Sequence, residues 1–274
     1  MEVIRDFRRL FPSVMDRAYD QSKELRHVSD IMSGEVVTVA PEASMGEAAK
    51  TMGERRIGSL IVIENNNPTG IVTERDLLSK VMAKELSPEK VKVGDVMSRP
   101  LVSISPSATI REAARTMIRE KGRLVVFDDG GLVGIVTASD LVKSMPWVAE
   151  TRLMVDEYMT RKVVTADEKA PVSGVARTMG EKRIGSVVVT RGEEPVGIFT
   201  ERDLLTTLLA KGRSLNVTVG EVCSSPLLAI PAGTPVNVAA HVMAHKRVKR
   251  LPVVEDDELV GIITARDLVE AYAQ

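Results

Sequence analysis

The sequence predicts a mixed α/β (α+β) fold: four β-α-β-β-α repeats paired into two pseudo-two-fold modules. Three observations carry this. Gly70-Ile-Val-Thr-Glu-Arg-Asp-Leu77 returns as Gly134-Ile-Val-Thr-Ala-Ser-Asp-Leu141, Gly197-Ile-Phe-Thr-Glu-Arg-Asp-Leu204 and Gly261-Ile-Ile-Thr-Ala-Arg-Asp-Leu268, and its aspartates are spaced by 64, 63 and 64 residues. A fixed period of this kind marks one structural unit copied along a chain. Apolar residues at i, i+3, i+4 and i+7 precede each copy. Repeats 1 and 3 share Arg-Ile-Gly-Ser (56–59, 183–186) and Thr-Glu-Arg-Asp-Leu-Leu (73–78, 200–205), whereas repeats 2 and 4 share neither, as after duplication of a two-repeat module. The modules are expected at about 28–147 and 155–274, joined by 146–154.

Each repeat opens with a short β-rich run: Val36–Val39, Leu101–Ile104, Val163–Ala166 and Leu227–Ile230. A helix follows, with the apolar stripe Met45, Ala48, Ala49, Met52 in repeat 1. The matching stripes are Ile110, Ala113, Ala114, Met117; Val172, Val175, Ala176, Met179; and Val236, Ala239, Ala240, Met243. Alanines in mid-stripe permit close helix packing. Ser44 with Glu47 and Thr109 with Glu112 form capping boxes, and Pro235 suits a first helical position. A second strand comes next (60–63, 124–127, 187–189, 251–254), then a hairpin turn rich in Asn, Asp, Gly and Pro. The third strand is the Gly-Ile-Val-Thr run, and a second helix starts at its threonine, carrying Leu77, Leu78, Val81 and Met82 in repeat 1. One such repeat of about 55 residues is too small to bury its apolar surface alone. The expected segments are 1–27 (an N-terminal helical segment), 28–84, 93–147, 155–211 and 219–273. In the first of these, Val3, Phe7, Leu10 and Val14 are spaced as a helical stripe, expected to pack on the first module; the alternative is a partner contact.

Composition narrows the function. The 274 residues carry 37 basic and 38 acidic side chains, and aromatics are 3%. Neither a basic surface nor a stacking platform for nucleic acid is indicated. No apolar run nears the roughly 20 residues of a membrane span. The first residues are too charged for a signal peptide. A single cysteine, Cys223, suits a reducing compartment. The expectation is a soluble cytoplasmic protein without nucleic acid or membrane partners. His241 and His245 are i, i+4, but no third metal ligand accompanies them, so no metal is expected.

The chemistry lies in the Thr-x-x-Asp turn. Its bland reading is an N-cap with an acidic residue at the positive helix end. Its sharper reading starts from invariance: Thr73, Thr137, Thr200 and Thr264 pair with Asp76, Asp140, Asp203 and Asp267. A helix N-terminus with free N–H groups and a hydroxyl suits a phosphate, and an aspartate suits the paired hydroxyls of a ribose. Arg75, Arg202 and Arg266 stand beside the aspartate and can grip phosphate bidentately, while repeat 2 has Ser139 there. Val37-Thr38 and Val164-Thr165 offer an apolar slot and backbone groups for a flat base. Arg123, Lys249 and Arg250 precede the second strands of repeats 2 and 4, where repeats 1 and 3 have Gly-Ser. Singly they read equally as solvated surface charge or as phosphate contacts; if two repeats pack face to face, an Arg of one reaches a phosphate at its neighbour's helix.

These motifs, with the opening Asp30-Ile-Met32 and Asp95-Val-Met97 and the variants Glu157-Tyr-Met159 and Glu221-Val-Cys223, resemble the cystathionine-β-synthase (CBS) domain family. CBS repeats pair into Bateman modules. The four-repeat arrangement is similar to archaeal stand-alone four-CBS proteins and to the γ subunit of AMP-activated protein kinase. The resemblance implies adenosine ligands (AMP, ADP or ATP, alternatively S-adenosylmethionine or a dinucleotide) held between paired repeats. It assigns ribose to Asp76, Asp140, Asp203 and Asp267, and phosphate to the four threonines and to Arg123 and Arg250. It implies a non-enzymatic regulatory protein and energy sensor that changes a target's behaviour, without a catalytic residue or catalytic cofactor, in a homodimer. The alternative from another class is a ligand-free scaffold whose turns are caps only.

Overall fold

The computed structural model describes residues 1–5, 27–120, 122–144 and 152–273. The expected β-α-β-β-α order holds in all four repeats. Each has a three-stranded sheet in which the first strand runs parallel to the second and the third antiparallel on its other side. All sixteen stripe residues are buried, none above 6% exposure. Both predicted capping boxes form: Glu47 accepts from the Ser44 N–H at 2.8 Å, and Glu112 from the Thr109 N–H at 2.8 Å. Pro235 sits one residue earlier than expected, as the N-cap of Val236–Lys246. The hairpins turn through positive-φ pairs such as Asn65-Asn66 and Asp256-Asp257, the twist that two-residue connections favour.

The chain divides into two compact units that do not follow its halves. One comprises Val36–Leu101 and Val164–Leu227, the main bodies of repeats 1 and 3. Its stripe helices (Met45–Arg55 and Val172–Glu181) each pack on the other repeat's second helix. Leu205 enters the core of repeat 1, and Leu78 enters that of repeat 3. Gly53 and Gly180 make this approach possible. A Cβ on Gly180 would lie 2.2 Å from the Leu78 carbonyl oxygen, and one on Gly53 2.8 Å from that of Leu205. The second helices differ from the regular helices expected. After one α-helical turn, Leu77–Val81 and Leu204–Leu208 widen into π-helix and then tighten into 3₁₀ turns. The widened turns coincide with the glycine contacts.

The other unit is built from the described residues of Glu2–Glu35, Val102–Val163 and Leu228–Gln274. Here the second helix of repeat 4 (Ala265–Ala273) is α-helical and packs on the stripe helix of repeat 2, around one continuous core. Glu2–Val3 form a strand, not the expected helix, on the first strand of repeat 4. The open backbone groups of that strand edge explain the change: the Ile4 N–H donates to the Ala229 carbonyl at 3.0 Å. Phe7, Leu10 and Val14 lie outside the described residues.

Opening segments are exchanged between repeats 1 and 2 and between repeats 3 and 4. Ser98, at the opening of repeat 2, bridges Ile71 of repeat 1, and Ser33 of repeat 1 bridges Ile135 of repeat 2. Ser224 with Ile198, and Thr160 with Ile262, do the same for repeats 3 and 4. A sulfur seals each exchange. Built Cβ atoms on Gly70, Gly134, Gly197 and Gly261 would fall 2.6, 2.7, 2.7 and 2.4 Å from the sulfurs of Met97, Met32, Cys223 and Met159. The first glycine of the signature thus lies against a sulfur of the partner repeat, and Cys223 takes a methionine's place.

Gly180→Ala should destabilise the protein by about 1–3 kcal/mol through overpacking. Gly174→Ala, on the same helix with Pro171 Cγ at 3.8 Å as its near neighbour, should be neutral or stabilise by about 0.5–1 kcal/mol. Urea titration of both checks this, and equal effects would refute the close approach.

Candidate functional site

Sheet topology sets the site. Because the first two strands are parallel and the third antiparallel, two strand starts and one strand end share a sheet edge. Thr73 ends the third strand there, paired with Ser59 at the start of the second. Thr200 pairs likewise with Ser186, and Thr264 with Arg250. The helix begins at once, turning the next residues across the sheet edge.

The same box closes in all four repeats. The threonine N–H donates to Asp Oδ2 at 2.9, 2.9, 2.8 and 2.7 Å in repeats 1 to 4. Its hydroxyl donates to the same oxygen at 2.6, 2.6, 2.7 and 2.8 Å. One carboxylate oxygen is therefore committed to the cap, and the ribose reading rests on the other, Oδ1. The exchanged segments bring hydroxyls towards it. Ser98 Oγ lies 3.5 Å from Asp76 Oδ1, and Ser224 Oγ lies 3.4 Å from Asp203 Oδ1. The site edge is thus composite, with signature and serine from different repeats. Sequence reasoning missed both serines, although each directly follows the sulfur residue of its opening motif.

Two expectations change. The helix N-terminus is not open: the first N–H donates to the carbonyl of Gly58, Gly185 or Lys249 in repeats 1, 3 and 4, at 3.2, 3.0 and 2.8 Å. The aspartate N–H donates to the threonine hydroxyl in repeats 1 and 3. The N–H of Arg75 and of Arg202 lies between these two committed groups. Second, the Val37 and Val164 carbonyls accept from Ile61 and Val188 N–H groups, both at 3.1 Å. Those backbone groups serve the sheet, while Thr38 and Thr165 are exposed. Arg250 stands across the ladder from Thr264 of its own repeat. Arg123 immediately precedes Leu124, which pairs with Val136 beside Thr137. Arg75 is exposed, while Arg202, Arg266, Arg123 and Lys249 are half-buried.

The four aspartates are not equivalent. Asp76 is 6% exposed, and the others are half-buried. Burial pushes the Asp267 carboxyl above the ordinary aspartate range, opposed by its bonds from Thr264 and by Arg266, and reinforced by Glu270. Burial likewise raises the Cys223 thiol, assisted by Asp203. Such a thiol is a packing group, not a nucleophile. Among the described residues, no three His, Cys, Asp or Glu side chains gather as for a metal, and no helix is long and apolar enough to cross a membrane. A cleft of about 480 Å³ opens between repeats 1 and 3, lined by Met82, Leu86, Arg177, Leu209, Arg213 and Leu215 among others, none of them signature residues.

Comparison with known proteins agrees with this architecture. The CBS domain family model matches residues 28–83, 93–146, 155–210 and 219–274. The chain belongs to the CBS domain family. An uncharacterised protein of Methanopyrus kandleri, MK0525, is 36% identical over 128 residues, covering 45% of this chain and 65% of its own length. MJ1225 of Methanocaldococcus jannaschii is 31% identical over 193 residues, covering 65% of this CBS chain and 68% of that protein. The crystal structure of MJ1225, a protein proposed as an archaeal homologue of g-AMPK, superposes with a TM-score of 0.73 at 24% identity, covering 90% of this chain and 100% of that one. An uncharacterised Pyrococcus horikoshii protein gives 0.61 at 22% identity, covering 90% and 99%. At these identities the likeness is one of fold.

Asp267 binds its proton more tightly folded than unfolded. Its contribution to stability therefore falls as pH rises from the ordinary aspartate value through the raised one, and is level above. Asp267→Asn should flatten that segment of the stability–pH curve. Identical slopes for wild type and variant would contradict the burial of Asp267.

Proposed function

We propose that this CBS protein is a regulatory sensor of adenosine nucleotides, with AMP, ADP or ATP held at the sheet edge by the signature turns. The observation that carries it is a contrast inside the chain. In the Ser/Thr boxes that open the stripe helices of repeats 1 and 2, the acidic residue is glutamate: Glu47 and Glu112 accept from N–H and hydroxyl of Ser44 and Thr109 through Oε2, as the aspartates do through Oδ2; aspartate serves at the short helix Val28–Ile31, where Asp30 accepts from the His27 N–H at 2.9 Å. At all four signatures it is aspartate. A cap alone accepts either residue. The shorter side chain holds its second oxygen at the sheet edge, facing the partner repeat's serine in repeats 1 and 3. Two ribose hydroxyls are donors of the right kind for that oxygen.

In this reading Thr73, Thr137, Thr200 and Thr264 fix the carboxylates. Arg75, Arg202, Arg266, Arg123, Lys249 and Arg250 supply positive charge for phosphate. Val37, Thr38, Val164 and Thr165 flank the base. Members of the family are generally regulatory, and this protein acts without turnover of its ligand. One relative, an M. jannaschii L-aspartate semialdehyde sulfurtransferase, matches over 26% of its own length, the part shared with this chain. A ligand at a composite edge touches both repeats of an exchanged pair, so it shifts their equilibrium by its differential affinity. The proposed setting is the cytoplasm, as a homodimer acting on a protein target.

A nucleotide at 100 times its Kd should add about 2.7 kcal/mol of stability. Melting curves with AMP, ADP, ATP, S-adenosylmethionine and NAD test this, with Asp203→Ala and Asp267→Ala alongside. The expected result is a rise with adenosine nucleotides that shrinks in the variants. A rise only with S-adenosylmethionine or NAD would reassign the ligand, and no rise with any compound would favour a scaffold.

A further inference from the structure

The signature carboxylate of repeat 1 already has a cation on its second oxygen. Lys80 Nζ lies 2.7 Å from Asp76 Oδ1, one helical turn on. The same ammonium donates to the Val96 carbonyl, in the exchanged opening segment of repeat 2. Oδ2 is held by Thr73 and Oδ1 by Lys80, so both oxygens of Asp76 have charged or polar donors within the protein. Its exposure agrees: Asp76 is the one signature aspartate counted among the buried residues. At the matching place the other repeats have Ser144, Thr207 and Ala271, none with an ammonium.

We infer that Lys80 is a built-in occupant of the repeat-1 cleft, filling the place a ribose takes elsewhere and excluding nucleotide from it. This rests on the ribose reading of the signature aspartates and narrows it to repeats 2, 3 and 4. A sugar diol would have to displace an ammonium from a carboxylate that is largely withdrawn from water. A charge-assisted bond there is stronger than the neutral bonds offered in exchange. Lys80 also clasps signature and opening segment from two repeats, the tie a ligand would supply in the other clefts. Repeat 1 is thereby fixed in a closed arrangement, and the remaining clefts respond to ligand.

The experiment is calorimetric titration of the full-length protein with AMP, for wild type, Lys80→Met and Lys80→Thr. Methionine keeps the apolar stem and removes the charge, and threonine copies repeat 3. Urea titration confirms that the variants fold. The expected result is one additional AMP site in each variant, or at least tenfold tighter binding at the weakest site. A crystal of the wild type grown with AMP should show Lys80 still on Asp76. Unchanged stoichiometry and affinity in folded variants, or AMP ribose on Asp76 in the wild type, would overturn the inference while leaving the nucleotide reading intact. No binding of AMP or any other adenosine compound to any of the three proteins would overturn that reading, and this inference with it.

Discussion

The structure depends on one interaction repeated four times: a threonine at a strand end that gives both its N–H and its hydroxyl to one oxygen of an aspartate three residues on. It ends the strand, starts the helix and fixes the carboxylate. Each task follows from elementary needs. A helix start has unsatisfied N–H groups. An acidic group belongs at its positive end. A carboxylate with one oxygen pinned has few orientations left for the other. Pre-organisation of this kind lowers the ordering cost of binding. The same bonds that look like routine capping therefore determine where Oδ1 can point, and with it the use of each cleft.

Exchange of opening segments turns that local device into one that senses another repeat. The serines nearest Asp76 and Asp203 come from the openings of repeats 2 and 4. The sulfurs of Met97 and Cys223 lie against the glycines that begin the signatures of repeats 1 and 3. Any shift of an opening segment would move the serine and the sulfur together. At those glycines the signature backbone and the partner repeat's sulfur are in close contact. Interfaces of this sort move between discrete arrangements. A ligand bound as proposed would touch segments of two repeats at once.

Much of this was legible in the sequence, and the rest was not for identifiable reasons. The stripes of Met45, Ala48, Ala49 and Met52 and their copies announced the buried helix faces, because helical period is local. The threonine–aspartate box was readable for the same reason. Lys80 stands i, i+4 from Asp76, a spacing that favours their pairing, but it occurs in one repeat of four, so the pattern that all four share does not point to it. The serines were hidden because their neighbours come from another repeat, which no local pattern records. The N-terminal strand was mistaken for helix because Glu2–Val3 takes its partner from the far end of the chain. The spent N–H groups at the helix start were likewise invisible, as they are occupied by carbonyls of the preceding strand pair.

The sequence symmetry has a physical cause that emerges only in the folded chain. Repeats 1 and 3 are the more alike, and their main bodies share a compact unit. Packing a repeat on a near-copy of itself makes an isologous interface, in which each contact occurs twice with roles reversed. Gly53 against Leu205 is mirrored by Gly180 against Leu78. Leu205 in the core of repeat 1 is mirrored by Leu78 in that of repeat 3. A change at one member of such a pair unbalances both halves, so the residues that meet across the pseudo-axis are held alike. Lys80 and Thr207 occupy matching positions yet differ. Lys80 turns to its own signature carboxylate. Symmetry is thus enforced where helices interlock and relaxed at the clefts, which allows one scaffold to carry sites of unequal chemistry.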